Sequence, residues 1–119
     1  PYPGDGCRYS MQVNALICFC TCPDTDTAER LAEALVEERL AACVNILPVL
    51  RSVYRWQAEV ERADEVLLLI KTLPDRYPAL QDRLRELHPY ELPELLAVEA
   101  AARLPAYLRW VADETRRQD

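Results

Sequence analysis

Glycine is nearly missing from this chain of 119 residues, occurring only at positions 4 and 6 against nine prolines. A loop that cradles phosphate needs glycines so that backbone amides can close on the ligand, and no such motif is present, which counts against nucleotide binding. Histidine and lysine each occur once, as His88 and Lys71, the latter beside thirteen arginines. This bias fits either a thermophile with stiffened loops or a GC-rich genome, and composition does not separate the two. The net charge is -6 and the pI near 4.8. With neither a basic patch nor a basic helix, nucleic acid and anionic membrane surfaces are not expected as partners. No apolar run approaches the roughly 18 residues of a membrane span, and the N-terminus lacks a basic stretch followed by an apolar core. A soluble, cytoplasmic protein without a membrane span is therefore expected.

Cysteine is present in an odd set, at positions 7, 18, 20, 22 and 43. Side chains at i and i+2 of a strand share a face but diverge from disulfide geometry, so Cys18, Cys20 and Cys22 read as reduced thiols. Their spacing is not that of a zinc knuckle, and small buried residues of this kind more often pack than ligate.

Half the residues are apolar, enough for one domain with a core of its own. Residues 1–10 hold both glycines and no periodicity, and Met11 precedes an apolar pattern. The first ten are expected to be a disordered extension or a remnant foreign to the protein, with a single domain over 11–119. Val13 to Cys22 is apolar on both parities and predicts a strand buried on both sides. Asp24 or Asp26 can cap a helix to about Leu40, Asp26 with Glu29 forming a capping box and Ala28, Leu31, Ala32, Leu35 and Val36 its inner stripe. Two extended segments, Cys43–Leu50 and Arg51–Gln57, are interrupted near Pro48. Glu65–Thr72 predicts a further strand, and Pro74 opens a helix with Tyr77, Leu80, Leu84 and Leu87 inward. A strand at about Leu95–Ala101 and a short helix opened by Pro105, with Leu108 and Val111 inward, complete the chain.

This β-α-β-β-α-β order plus a terminal helix predicts an α+β, ferredoxin-like split βαβ sandwich, two helices covering one face of an antiparallel sheet. The other face is just as apolar, and a terminal helix of about ten residues is too short to hide it. A homo-oligomer joined through that sheet is expected.

The only histidine and two carboxylates fall within His88-Pro89-Tyr90-Glu91-Leu92-Pro93-Glu94. Each proline fixes its own φ and drives the residue before it toward extended geometry, so this is a stiff connector that presents side chains in set directions. On its own it also reads as a helix end, with His88 the dipole partner of the preceding C-terminus. Tyr54 and Trp56 share a strand parity and read as cross-strand or subunit packing more than as a recognition surface. Lys71, ending an apolar strand, reads as a snorkelling edge charge.

In order and spacing, Glu38-Arg39-Leu40-Ala41-Ala42-Cys43-Val44-Asn45, Pro48, Ser52-Val53-Tyr54-Arg55-Trp56, Ile70-Lys71-Thr72 and His88 to Glu94 resemble the CutA family of divalent-cation tolerance proteins. The resemblance covers about Val13 to Val111. It implies a PII-like homotrimer of ferredoxin-like subunits, linked to copper binding and tolerance, with Cys20, His88 and Glu94 as the metal ligands. Tyr54, Trp56, Lys71, Tyr90 and Glu91 would line the cleft, Lys71 in an ion pair with Glu91 or Glu94. Thiolate and imidazole favour copper or another borderline ion over magnesium or calcium. The sequence departs from the family at three glycine positions, filled here by Val49, Ala58 and Arg103, so hairpin geometry is where a difference is expected.

The reading that follows is a trimer binding copper or a similar ion in inter-subunit clefts. The alternative is a PII-like signalling or scaffold trimer that acts through an unidentified protein partner without a metal. Acid–base catalysis by His88 with Tyr90 and Glu91 or Glu94 lacks any nucleophile motif, so no enzyme is expected.

Overall fold

The structure, a computed structural model, describes residues 14–117. The expectations for residues 1–10, Met11 and Val13 lie outside them. Strand β1 (Leu16–Cys22) leads to helix α1 (Thr25–Glu37), the hairpin β2 (Cys43–Trp56) and β3 (Glu59–Thr72), a 3-10 turn at Pro74–Arg76, helix α2 (Tyr77–Leu87), β4 (Leu96–Glu99) and helix α3 (Pro105–Glu114). The strands lie in the order β2-β3-β1-β4, every neighbouring pair antiparallel. This is the ferredoxin-like α+β arrangement expected from the order of elements.

Asp24 rather than Asp26 caps α1, its Oδ1 accepting the Thr27 amide at 2.8 Å, and Asp26 sits in the first turn where a negative charge suits the dipole. The helix ends on Arg39, which takes φ 60 while the amides of Leu40 and Arg39 close back on the carbonyls of Leu35 and Val36. Glycine usually fills that left-handed position. Here the Arg39 guanidinium donates to the Glu114 carbonyl, a contact that glycine cannot supply, and its backbone carbonyl accepts from Arg76. Arg83 on α2 grips the Glu38 carboxylate through two nitrogens, at 2.9 and 3.0 Å, and so sets α2 beside the end of α1.

Cys18, Cys20 and Cys22 of β1, Leu68 and Ile70 of β3, Ala28, Leu31 and Leu35 of α1, and Leu80 and Leu84 of α2 form the main core. Two residues expected inside are exposed, Val36 and Leu87. Both lie in the last turns of their helices. Leu108 and Val111 of α3 pack with Ala15, Ala42 and Leu73 in a second cluster at one end of the sheet.

The largest departure from expectation is the hairpin. In place of two segments and a strand from Glu65, β2 and β3 are 14-residue strands paired out to Trp56 and Glu59, with one register shift between Leu47 and Leu50. Val49 at that bulge has φ 50, and Gln57 and Ala58 at the tip have φ 50 and 71. Two successive positive φ values are the turn that matches strand twist. The geometry that glycine normally eases is thus kept without it, at a cost on the order of 1 kcal/mol per site.

Candidate metal site

His88 ends α2. Its amide still reaches the Leu84 carbonyl at 2.9 Å, but its backbone has turned extended (φ -76, ψ 136), as the following Pro89 requires. That turn drives the ring under the sheet, where it is buried against the end of β1. The Tyr90 amide donates to Nδ1 at 3.1 Å, and an amide can only donate, so the ring is neutral with its proton on Nε2. Nε2 in turn donates to the Thr21 carbonyl at 2.8 Å. The Tyr90 ring lies 4.7 Å from that of His88, and its hydroxyl donates to Glu65 Oε2 at 2.7 Å. The proline-stiffened corner is therefore pinned to β1 by His88 and to β3 by Tyr90.

Strand alternation points Cys20 and Cys22 at the same place. Their sulfurs and a His88 ring nitrogen all lie within 4.8 Å of one another, and all three residues are buried. The cysteines at 18, 20, 22 and 43 are free thiols. Two thiols this close share one proton more readily than they lose two. The Cys20 hydrogen bond holds the Cys22 thiol down to about 6 against the upward push of burial, and His88 adds a second stabilising bond. Cys20 is correspondingly raised, by that same bond, by burial, and by the negative charge of Cys22, Glu94 and Glu65. Burial opposes charge on His88, yet Cys22 and the Thr21 carbonyl carry its pKa above the ordinary imidazole value. Burial and the bond to Glu65 raise the Tyr90 phenol.

The corner thus brings together Cys20 and His88 and adds Cys22. Glu94 is exposed and reaches Cys20 as a neighbouring charge. Glu91 is exposed as well. Lys71 donates to Asn45 Oδ1 across the hairpin and not to Glu91 or Glu94. Tyr54 lies close enough to Tyr90 to add to its raised pKa, while Trp56 stands near the hairpin tip, opposite Glu59. Cys22 and Glu65 were not singled out by sequence reasoning. For Cys22 the signal was available, since two-residue spacing from Cys20 places both on one face; for Glu65, at the head of an apolar run, there was none.

A family profile described as CutA1 divalent ion tolerance protein matches residues 16–114. The chain is 50% identical over 95 residues to the divalent-cation tolerance protein CutA of Thermus thermophilus, covering 80% of this chain and 92% of that protein. It is 41% identical over 115 residues to protein CutA of Mus musculus, 97% of this chain but 64% of the mouse protein. The crystal structure of CutA from Xylella fastidiosa superposes with a TM-score of 0.84 at 47% identity, covering 87% of this chain and 99% of that one.

Proposed function

The chain belongs to the CutA1 family of divalent ion tolerance proteins, and from that premise we propose that it is a cytoplasmic homotrimer that binds copper or a similar ion. The ion sits at the corner where Cys20 and His88 are buried within each subunit, rather than in the clefts between subunits that the resemblance implies. Cys20 and His88 supply the soft and borderline donors, with Glu94 at the rim as a carboxylate. It acts by binding and not by catalysis. The observation that carries this reading is the convergence of the Cys20 sulfur and the His88 imidazole, from opposite ends of the chain, to within 4.8 Å. Free thiols suit a reducing compartment. Among the described residues no helix is long and apolar enough to cross a membrane.

Both His88 nitrogens already hold hydrogen bonds, so ligation costs one of them. That loss is about 1 kcal/mol net, against on the order of 10 kcal/mol for a thiolate–imidazole metal site. The metal wins. In calorimetry on the reduced protein, His88→Ala should weaken copper binding at least about tenfold, zinc should compete less well, and the surface change Glu33→Ala should have no effect. Equal affinity for His88→Ala and the parent would overturn the assignment.

A second reading has its own observation. Cys18, Cys20 and Cys22 have no exposed surface and His88 is fully hydrogen-bonded, which is also how a purely structural corner looks. Under it the protein is a PII-like scaffold trimer with a protein partner, and no copper heat appears in the same titration.

A further inference from the structure

We infer that Cys20 and Cys22 act together as a two-sulfur clamp for a monovalent, thiophilic d10 cation such as Cu(I), with the His88 imidazole as the third donor. This rests on the metal reading above and adds to it a ligand, Cys22, and the oxidation state that the ligand selects.

The geometry carries the argument. One ion bonded to two sulfurs at about 2.3 Å and an imidazole nitrogen at about 2.0 Å holds its donors roughly 3.5 to 4.6 Å apart, depending on the angle. The sulfurs of Cys20 and Cys22 and a His88 nitrogen are already mutually within 4.8 Å. No strand has to move. The three-donor group contains no oxygen: Glu65 is held by the Tyr90 hydroxyl, and Glu94 stands exposed outside the group. Two thiolates and one imidazole, shielded from water, suit Cu(I) better than Cu(II), which prefers nitrogen and oxygen donors; Zn(II) accepts the same donors but completes a tetrahedron with a fourth, where this group offers three.

The sulfurs are also the less committed donors. Cys20 Sγ makes a weak 3.7 Å bond to the Thr21 carbonyl besides its bond to the Cys22 thiol, whereas both His88 nitrogens hold bonds of 2.8 and 3.1 Å. The dithiol therefore takes the ion first, and the ring joins by releasing one bond.

Cys18 supplies the control. It sits on the same face of the same strand with the same lack of exposure, but outside the three-donor group.

The test is competition for Cu(I) itself, using the reduced full chain under argon and the chromophoric chelator bicinchoninate. Cys22→Ser and Cys22→Ala should each give up Cu(I) at least about tenfold more readily than the parent, while Cys18→Ala, an equivalent truncation in the core, should match the parent. Retention of Cu(I) by both Cys22 variants at the parent's level overturns the clamp. If the parent still binds Cu(II) through His88 in that case, the function proposed above stands alone; if the parent holds neither ion, both fall.

Discussion

On the helix side of the sheet Cys18, Leu68 and Ile70 have no exposed surface, whereas on the other side, on the edge strand β4, Leu96 and Val98 keep 64% and 49% of theirs. The register puts Ile17 beside Val98 and Lys71, Phe19 beside Leu96 and Leu69, and Leu67 beside Leu47, so this second face is largely apolar, interrupted by the bonded pair Lys71 and Asn45. Helix α3 reaches only its end, at Ala15 and Leu73. One face is finished by the chain's own helices. The other has the composition of a core, yet among the described residues no element covers it, and each large apolar side chain there forgoes part of the about 1.5 to 3 kcal/mol that full burial contributes. The contrast teaches that the described part of one chain buries only one side of its strands, which is what the proposed homotrimer would complete.

Breaking the open face should have the largest effect. A carboxylate placed at Leu69, by Leu69→Asp, would be buried unpaired wherever copies meet there, so assembly should be lost and the mass by light scattering should fall to that of one chain. An unchanged mass would show that the copies join elsewhere. On the covered face Leu84→Ala should instead cost about 2 to 5 kcal/mol in denaturant unfolding at fixed protein concentration, with the assembled mass unchanged. Dissociation without loss of subunit stability would reverse the roles of the two faces.

The corner at the covered face should also respond to acid. Ligation takes deprotonated sulfur and a neutral ring. Cys20, whose pKa is raised, gives up a proton on binding throughout the neutral range, so copper affinity should fall about tenfold per pH unit. Protonation of His88, whose pKa is raised, and of Cys22 at about 6 adds to the loss, and the decline should steepen as pH drops through about 6. A flat profile from about pH 8 to 5 would mean that no thiolate binds.

The smallest effect concerns the hairpin, which joins neither face cleanly. Ala58→Gly relieves a residue at φ 71 and should stabilise by about 0.5 to 1 kcal/mol in the same unfolding assay. A loss of stability would show that the turn is not strained.

Much of this was legible beforehand where period and burial coincide. The stripe Leu31, Leu35, Leu80 and Leu84 follows the helical repeat and is buried, and His88 was visible through the proline beside it. The outer hairpin was not legible, because Glu59-Val60-Glu61-Arg62-Ala63-Asp64 is mostly charged and its turn has neither glycine nor asparagine; partner-strand pairing overrides both signals. Nor could spacing alone bring Cys20 to His88, a contact made by the fold across 68 positions of sequence, which only the family resemblance suggested.

The contrast between the two faces is tested most directly by the mass of the unmodified reduced protein at micromolar concentration. Light scattering should give about three times the 13.7 kDa of one chain, the open face of each copy closed by the others. A mass near 13.7 kDa would contradict it, leaving an apolar sheet face stable in water on its own.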